Sequence, residues 1–320
     1  MDLDRRSLLA SALAAAPAAP AAAAAQASDP TEVIELWPAG PPGGVRPGLV
    51  ERTVERARPG QPGDRAVFNV TRAVLRVFRP DRPTGDAALL LPGGAYARVV
   101  VDKEGFELGR VLAQRGVTAY VLFYRLPADG WAAGPDAALQ DAQRAMRLVR
   151  ARSRGQVAAV GFSAGGHATA MLATRHADAT YAPVDAADRL PARPDAVGLI
   201  YPVISMREAI THAESRRNLL GSTPSEAQVS AYSLETRAGP QVPPTFLVHA
   251  ADDPSVPIEH SLAFQAALRR ARVPVEAHYF QEGGHGFGIR GAAGKPAAAW
   301  PELFHAWWRR QLPSESAREP

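Results

Sequence analysis

The chain contains no cysteine among its 320 residues. This absence excludes a disulfide framework, a thiolate nucleophile, a cysteine-ligated zinc site and an iron–sulfur cluster. Because no covalent cross-link is available, the stability of the fold must come from its buried core. A chain of this length buries roughly 75% of the surface that it exposes when unfolded, so a large core is available.

Lysine is nearly absent as well. Lys103 and Lys295 are two of the 36 basic residues, and all the others are arginine. No run of like charge reaches the roughly five or six residues typical of a basic tail, and no basic stripe with interleaved aromatic residues is present. We therefore expect no nucleic-acid partner and interpret the net charge of +4 as a compositional bias towards arginine.

Motifs for metals and cofactors are also missing. No group of histidine and acidic residues has metal-ligand spacing. No glycine-rich loop is followed by the acidic residue or the Lys-Ser/Thr pair of a nucleotide site. We therefore expect neither a metal nor an organic cofactor.

Residues 1–27 have the pattern of an export signal. The pair Arg5-Arg6 precedes an alanine-rich apolar run that ends in a small-x-small motif at Ala27. Paired arginines are typical of twin-arginine signals, and we expect cleavage after Ala27. Two prolines break the run and few large apolar residues follow, which argues against a membrane anchor. We expect an exported protein, periplasmic or secreted, with no stable membrane span after processing.

The remaining chain has the composition of a globular protein, with 46% hydrophobic and 21% charged residues. Residues 28–64 are interpreted as an irregular N-terminal segment, because they are rich in proline and glycine over 38–64. From residue 65 to 320, short apolar runs alternate with helical patterns and predict one α/β domain, with a mostly parallel sheet covered by helices on both faces. Residues 203–240 have weak periodicity and are interpreted as an insertion near the site.

The individual elements follow from periodicity. Strands are predicted over residues 70–78, 87–91, 117–124, 157–161, 196–200, 245–250 and 275–280. Helices are predicted over 106–114, 135–152, 164–175, 258–270 and 297–311, with short helices near 215–220 and 225–231 in the insertion.

A G-x-S-x-G motif spans residues 161–165 and centres on Ser163. The strand before it and the helix after it predict a strained strand-to-helix turn, where the flanking glycines leave room for the backbone. The hydroxyl is thereby exposed at the carboxyl end of the sheet, and the helix amides can support negative charge. Ser163 is the candidate nucleophile; the alternative is an ordinary serine in a glycine-rich turn.

A serine nucleophile needs a base and an orienting acid. Asp252 and Asp253 follow the strand at 245–250, and His285 follows the strand at 275–280 in a Gly-Gly-His-Gly-Phe motif. An open α/β sheet binds its ligands at the carboxyl ends of its strands, so these groups are expected to meet Ser163. His285 would take the serine proton, and a carboxylate would fix the imidazole tautomer.

Either of the two neighbouring aspartates could serve as the acid. Asp253 is favoured, because Val256 and Pro257 then begin the next packed segment. Asp252 would be a turn or capping residue.

The loop at residues 92–96, Pro-Gly-Gly-Ala-Tyr, follows the strand at 87–91. A loop in this place can turn backbone amides towards an oxyanion, together with the amide of the residue after the nucleophile. Gly94, Ala95 and Ala164 are therefore the candidate oxyanion donors.

These motifs together resemble the α/β-hydrolase serine esterases, in particular the branch of acetyl esterases and feruloyl or acetylxylan esterases. The resemblance is carried by LPGGAY, DKEGFELGRVLAQRGVTAYVLFYRLP, GFSAGGH, HAADDPSVP and EGGHGF. In the family the oxyanion loop usually begins with His-Gly-Gly-Gly. Here Pro92 replaces the histidine and Ala95 replaces the third glycine, and the backbone donors survive both changes.

The resemblance implies the α/β-hydrolase fold and a serine esterase that deacetylates plant-derived carbohydrate through an acyl-enzyme. The expected partner is an oligosaccharide or small-molecule ester. Lipases, dienelactone hydrolases and prolyl-oligopeptidase-like peptidases share the same motifs and stay open as alternatives, although no long apolar lid is present. A non-catalytic binding module on a hydrolase scaffold is the alternative from another class.

Other polar and aromatic residues are less informative about the site. Residues 102–104, Asp-Lys-Glu, are either a solvated face or a rim over the site, and the solvated face is favoured. Trp131 either stacks on a sugar ring or packs against its neighbours. His167 and His249 are interpreted as structural or solvated histidines.

Overall fold

Eight strands form the central sheet of the computed structural model, which describes residues 29–311. The predicted export signal at residues 1–27 lies outside the described residues. The strands of the chain are β1 (Val33–Glu35), β2 (Arg52–Glu55), β3 (Arg65–Phe68), β4 (Val74–Phe78), β5 (Ala87–Leu91), β6 (Val99–Val100), β7 (Thr118–Phe123), β8 (Val157–Phe162), β9 (Ala196–Ile200), β10 (Thr245–Ala250) and β11 (Val275–Phe280).

The helices pack against this sheet or cover its carboxyl edge. They are α1 (Glu107–Gln114), α2 (Ala137–Arg150), α3 (Ser163–Arg175), α4 (Ala213–Leu220), α5 (Glu226–Tyr232), α6 (Glu259–Arg270) and α7 (Trp300–Gln311). A π-helical turn, Asp102–Phe106, leads directly into α1. None of the helices within residues 29–311 is long and apolar enough to cross a bilayer.

The sheet order is β1-β4-β7-β5-β8-β9-β10-β11. Strands β7, β5, β8, β9, β10 and β11 pair in parallel, and β1 and β4 add antiparallel neighbours at one edge. Every residue of β5 and β8 is buried, as expected for strands covered on both faces. The predicted mostly parallel sheet is therefore present, and its central strands account for the continuous apolar runs of the sequence.

The N-terminal segment is less irregular than the sequence predicts. Strands β1 and β2 both lie within residues 28–64. β1 pairs with β4, and β2 forms a second, antiparallel sheet with β3 and β6. The prediction of a wholly irregular segment is corrected here, because three- and four-residue strands that are mostly exposed leave no apolar period in the sequence.

Two other predicted elements have different bounds. The strand expected over 70–78 begins only at Val74, after Asn69 adopts a left-handed backbone with φ of 54°. The insertion at 203–240 holds α4 and α5, close to the short helices that the sequence predicts. Ser225 caps α5 by accepting a hydrogen bond from the amide of Gln228, and the Gln228 side chain returns a bond to the Ser225 amide.

Candidate active site

Ser163 stands at the junction between β8 and α3. Its φ of 52° lies in the left-handed region, which residues other than glycine rarely adopt. A Cβ on Gly165 would collide with the carbonyl oxygen of Leu91, so only glycine fits two residues after the serine. The local strain and the close packing therefore fix the side chain of Ser163 at the carboxyl edge of the sheet.

A chain of hydrogen bonds joins three side chains from three loops. The Oγ atom of Ser163 lies 2.9 Å from Nε2 of His285. The Nδ1 atom of His285 lies 2.7 Å from Oδ2 of Asp253. An ionised carboxylate can only accept, so Nδ1 carries a proton and Nε2 is the acceptor that faces the serine hydroxyl.

The side chain of Asp253 is fully buried, and both of its oxygens are hydrogen-bonded. Its Oδ1 atom accepts hydrogen bonds from the amides of Ser255 and Val256 at 2.8 and 2.9 Å, and Nε2 of His249 lies 3.3 Å from Oδ2. Burial alone would raise the pKa of Asp253, but the hydrogen bonds from His249, His285 and Val256 hold it well below its usual range. The carboxylate therefore stays ionised beside the imidazole.

Asp252 has a different place. Its Oδ1 atom accepts the amides of Gly283 and Gly284 at 2.9 and 2.7 Å, and these glycines directly precede His285. The side chain of Asp252 therefore binds backbone amides of the loop that carries His285, the histidine loop, whereas Asp253 contacts the imidazole itself.

The loop at residues 92–96 approaches Ser163 closely. Gly94, Ala95 and Tyr96 all have positive φ, at 132°, 56° and 59°, and Gly94 and Ala95 line the same cavity as Ser163. Within residues 29–311 the amides of Gly94 and Ala95 have no hydrogen-bond acceptor. Ala164 lies in the first turn of α3, where amides have no partner within their own helix. These three amides thus remain the candidate oxyanion donors near the serine.

The prediction of a solvated face at residues 102–104 is wrong. Asp102 is 7% and Glu104 is 4% exposed. The Oε2 atom of Glu104 accepts the amide of Gly93 at 2.8 Å, and Oε1 accepts the hydroxyl of Tyr201 at 3.1 Å. A charged triplet resembles solvated surface in the sequence, because the partners that bury it lie elsewhere in the chain.

Trp131 packs against its neighbours. It is 4% exposed, and the guanidinium carbon of Arg125 lies 5.3 Å from the centre of its ring. Its ring is therefore not available to stack on a sugar, and the packing alternative holds.

His167 and His249 are buried and hydrogen-bonded. Nε2 of His167 donates to the carbonyl of Tyr232 at 2.8 Å, so its Nδ1 accepts the hydroxyl of Tyr96 at 2.7 Å. His249 bridges Ser261 and the carbonyl of Val256 in the same manner. Both histidines support loops of the site without lining its cavity.

Acid should destabilise the fold through His167. Burial lowers the pKa of His167 from its ordinary value of about 6.5 to about 4, so the unfolded chain takes up the proton first as the pH falls. The free energy of unfolding should therefore fall from about pH 6.5 to pH 4, by about 1.4 kcal/mol for each unit between the two pKa values. Urea unfolding of wild type and His167→Gln at pH 7.5 and 4.5 measures this. The variant should lose less stability between the two pH values, and equal losses would contradict the assignment.

The cavity above Ser163 has a volume of about 230 Å³. It is open to solvent and lined mostly by polar groups, and His212 and Glu214 at the start of α4 are among them. The lining comprises Arg56, Gly94, Ala95, Arg98, Val100, Lys103, Glu104, Ser163, His212, Glu214, Ser255, His285 and Gly286. Within residues 29–311 no cluster of three or more histidine and acidic side chains could hold a metal ion. The arrangement has the parts required for attack by a serine on an acyl carbonyl.

The sequence is similar to known esterases and xylanases. The family model described as BD-FAE matches residues 81–268. An acetylxylan esterase from Xylanibacter ruminicola is 30% identical over 228 residues, which are 68% of this chain and 44% of that protein. Endo-1,4-beta-xylanase B from Butyrivibrio fibrisolvens is 33% identical over 228 residues, which are 69% of this chain and 34% of that protein. The chain thus spans less than half the length of the curated relatives it matches.

Solved structures agree in fold. An acetyl ester-xyloside bifunctional hydrolase from Caldicellulosiruptor lactoaceticus is 29% identical with a TM-score of 0.68, and the match covers 89% of this chain and 98% of that one. An esterase from Thermogutta terrifontis is 24% identical with a TM-score of 0.62, covering 81% and 98%, and shows the fold alone.

These comparisons confirm the predicted α/β-hydrolase fold and the resemblance to the acetylxylan esterase-like branch. The family match covers more than half of the 320 residues. The chain belongs to the BD-FAE family and has the fold of the α/β-hydrolase esterases.

Proposed function

We propose that the chain is a serine carboxylic-ester hydrolase that removes acetyl groups from plant-derived carbohydrate. The observation that carries the proposal is the hydrogen-bonded series Ser163, His285 and Asp253, of which Ser163 and His285 line a polar cavity. Relatives named as an acetylxylan esterase and as an acetyl ester-xyloside hydrolase support the choice of ester and of alcohol.

The reaction begins when Oγ of Ser163 attacks the carbonyl carbon of the ester and its proton passes to Nε2 of His285. The carbonyl π electrons move to oxygen, and the amides of Gly94, Ala95 and Ala164 stabilise this oxyanion. Collapse of the intermediate breaks the bond to the sugar oxygen, which leaves as an alcohol after taking the proton from His285. The acyl group is then an ester of Ser163.

Hydrolysis of the acyl-enzyme repeats these steps with water as the nucleophile. His285 takes a proton from water, hydroxide adds to the acyl carbon, and the proton returns to Oγ of Ser163 as the carboxylic acid leaves. Asp253 holds the imidazole in the tautomer that leaves Nε2 free and stabilises the imidazolium formed in each half-reaction.

The cavity favours a short acyl group and a hydrophilic alcohol. Apart from glycine, only Ala95 and Val100 contribute apolar side chains among the lining residues of the described chain. A long acyl chain would need a wide apolar surface, because its burial supplies about 0.8 kcal/mol per methylene. The polar lining therefore supports a carbohydrate ester over the triglyceride substrate of a lipase.

Export through residues 1–27 belongs to the same proposal. The paired arginines and the alanine-rich run support a twin-arginine signal. A polymeric plant carbohydrate is met outside the cell, so the proposed substrate and a periplasmic or secreted location agree.

Acyl-chain selectivity tests the proposed substrate class. We expect kcat/KM for nitrophenyl esters to fall at least about tenfold from acetate to octanoate, because the cavity offers little apolar surface. We also expect acetate release from acetylated xylo-oligosaccharides, measured against other acetylated sugars. Preference for the octanoate would favour the lipase alternative, cleavage of peptide anilides would favour a peptidase, and absence of any turnover would favour a binding module.

A further inference from the structure

Glu104 is a buried carboxylate inside the cavity that the reaction above does not use. It lies on the π-helical turn between β6 and α1, and its side chain accepts hydrogen bonds from two separate parts of the chain. One bond comes from the amide of Gly93 at 2.8 Å and the other from the hydroxyl of Tyr201 at 3.1 Å. A carboxylate removed from water is costly unless such donors compensate it.

The bond to Gly93 acts on the oxyanion loop. A Cβ on Gly93 would lie 2.7 Å from Oε2 of Glu104 and 2.8 Å from Cβ of Ser163, so the loop passes between these two side chains. The amide of Gly93 is bound to Glu104, whereas the amides of Gly94, Ala95 and Tyr96 in the same loop have no acceptor within the described chain. Glu104 therefore holds the first amide of the loop and leaves the amides after it available to the reacting carbonyl.

The bond to Tyr201 acts on the histidine loop. Tyr201 follows β9 directly with φ of 39°, and its hydroxyl oxygen accepts the amide of Gly288 at 3.0 Å. Its ring packs edge-on against the imidazole of His285, with ring centres 5.1 Å apart. Burial and the nearby Glu104 carboxylate raise the pKa of Tyr201 well above its usual value, so its hydroxyl keeps the proton that it donates.

Glu104 and Tyr201 thus connect the two halves of the site through a continuous path. The path runs from the amide of Gly93, through the carboxylate and the phenol, to the amide of Gly288 three residues after His285. The phenol is fully used, since it donates one hydrogen bond and accepts another.

We propose that Glu104 is a positioning residue. Directly and through Tyr201, it holds the oxyanion loop (residues 92–96) and the loop that carries His285 at the correct positions relative to Ser163. This inference rests on the proposed function, because it assigns Glu104 a task in the same reaction. A negative charge close to a developing oxyanion opposes catalysis by itself, so its position is explained by the two donors that it holds.

Glu104→Gln keeps the volume of the side chain but turns one acceptor into a donor, which faces either Gly93 or Tyr201. We expect kcat for nitrophenyl acetate to fall about 10- to 100-fold while KM stays within about threefold, as for misplacement of reacting groups. Fluorophosphonate titration gives the concentration of reactive sites, and kcat is expressed per titrated site so that misfolded protein does not contribute. Glu107→Gln is the matched control, because Glu107 lies one turn further along and pairs with Arg290; its kcat should stay within about twofold of wild type.

Tyr201→Phe provides a second test of the positioning role, because it removes the hydroxyl of Tyr201 and leaves Glu104 in place. Its kcat per titrated site should fall about tenfold, and the double variant should lose little more than Glu104→Gln alone, because both changes interrupt one path. Additive losses, or a kcat per titrated site of Glu104→Gln within twofold of wild type, would overturn the positioning role. If wild type hydrolyses no ester, the proposed function fails instead, so the two failures are distinguished.

Discussion

Replacing Ser163 with alanine is expected to lower kcat for nitrophenyl acetate by at least about four orders of magnitude. Alanine has no oxygen with which to form the acyl-enzyme, so only stabilisation of direct attack by water remains. The substitution removes one atom at a buried position and leaves the Cβ that the left-handed backbone already accommodates. The midpoint of thermal unfolding should therefore stay close to that of wild type.

Ser255→Ala is the matched control for this substitution. Ser255 lines the same cavity, but it contacts Asp253 through its backbone amide and not through its hydroxyl. Its kcat should remain within about threefold of wild type. Hydrolysis by Ser163→Ala at the wild-type rate would show that the nucleophile is another group.

Asp253→Asn is expected to lower kcat by about three to four orders of magnitude. The amide nitrogen of asparagine can donate to Nδ1 of His285, which places the imidazole proton on Nε2. A protonated Nε2 cannot accept the proton of Ser163. Asp253 does not line the cavity, so KM should change little. The measurement is steady-state hydrolysis of nitrophenyl acetate by the purified variant.

Asp252→Asn separates this effect from a general disturbance of the loop. Its side-chain carbonyl still accepts the amides of Gly283 and Gly284, so kcat should fall less than about tenfold. A larger loss for Asp252→Asn than for Asp253→Asn would reverse the two assignments.

The residues that the structure brings together as the sequence expects are those whose placement follows from local elements. Ser163 stands between a buried apolar strand and a helix, and Gly161 is required by its contacts with Thr169 and Gly165 in the same turn and helix. Asp253 and His285 each lie in the loop that follows a strand, and parallel strands bring their carboxyl ends together. The choice between Asp252 and Asp253 needed the structure, because adjacent residues of a turn point in different directions.

The features that the sequence misses depend on distant partners. Glu104 contacts Gly93, 11 residues before it, and Tyr201, 97 residues after it. No pattern within one element records such contacts, so a buried carboxylate and a solvated one have the same appearance in the sequence.

The small sheet was missed for a related reason. Strand β2 has one half-buried and three exposed residues, and its pairing with β3 is made by backbone hydrogen bonds that any side chain permits. The apolar period that identifies a core strand is absent there. By contrast, α5 lies close to the bounds that the sequence predicts, and in the structure the capping box of Ser225 and Gln228 defines its start.

Mass spectrometry of the fluorophosphonate-treated protein tests the central claim most directly. Cleavage after arginine releases residues 155–175, a peptide in which Ser163 is the sole serine. An activated serine reacts with the probe and an unactivated one does not. We predict one adduct per chain on Ser163, formed in step with the loss of acetate release. Complete inhibition with this peptide unmodified, or an intact enzyme that hydrolyses esters without reacting at Ser163, would contradict the proposed mechanism.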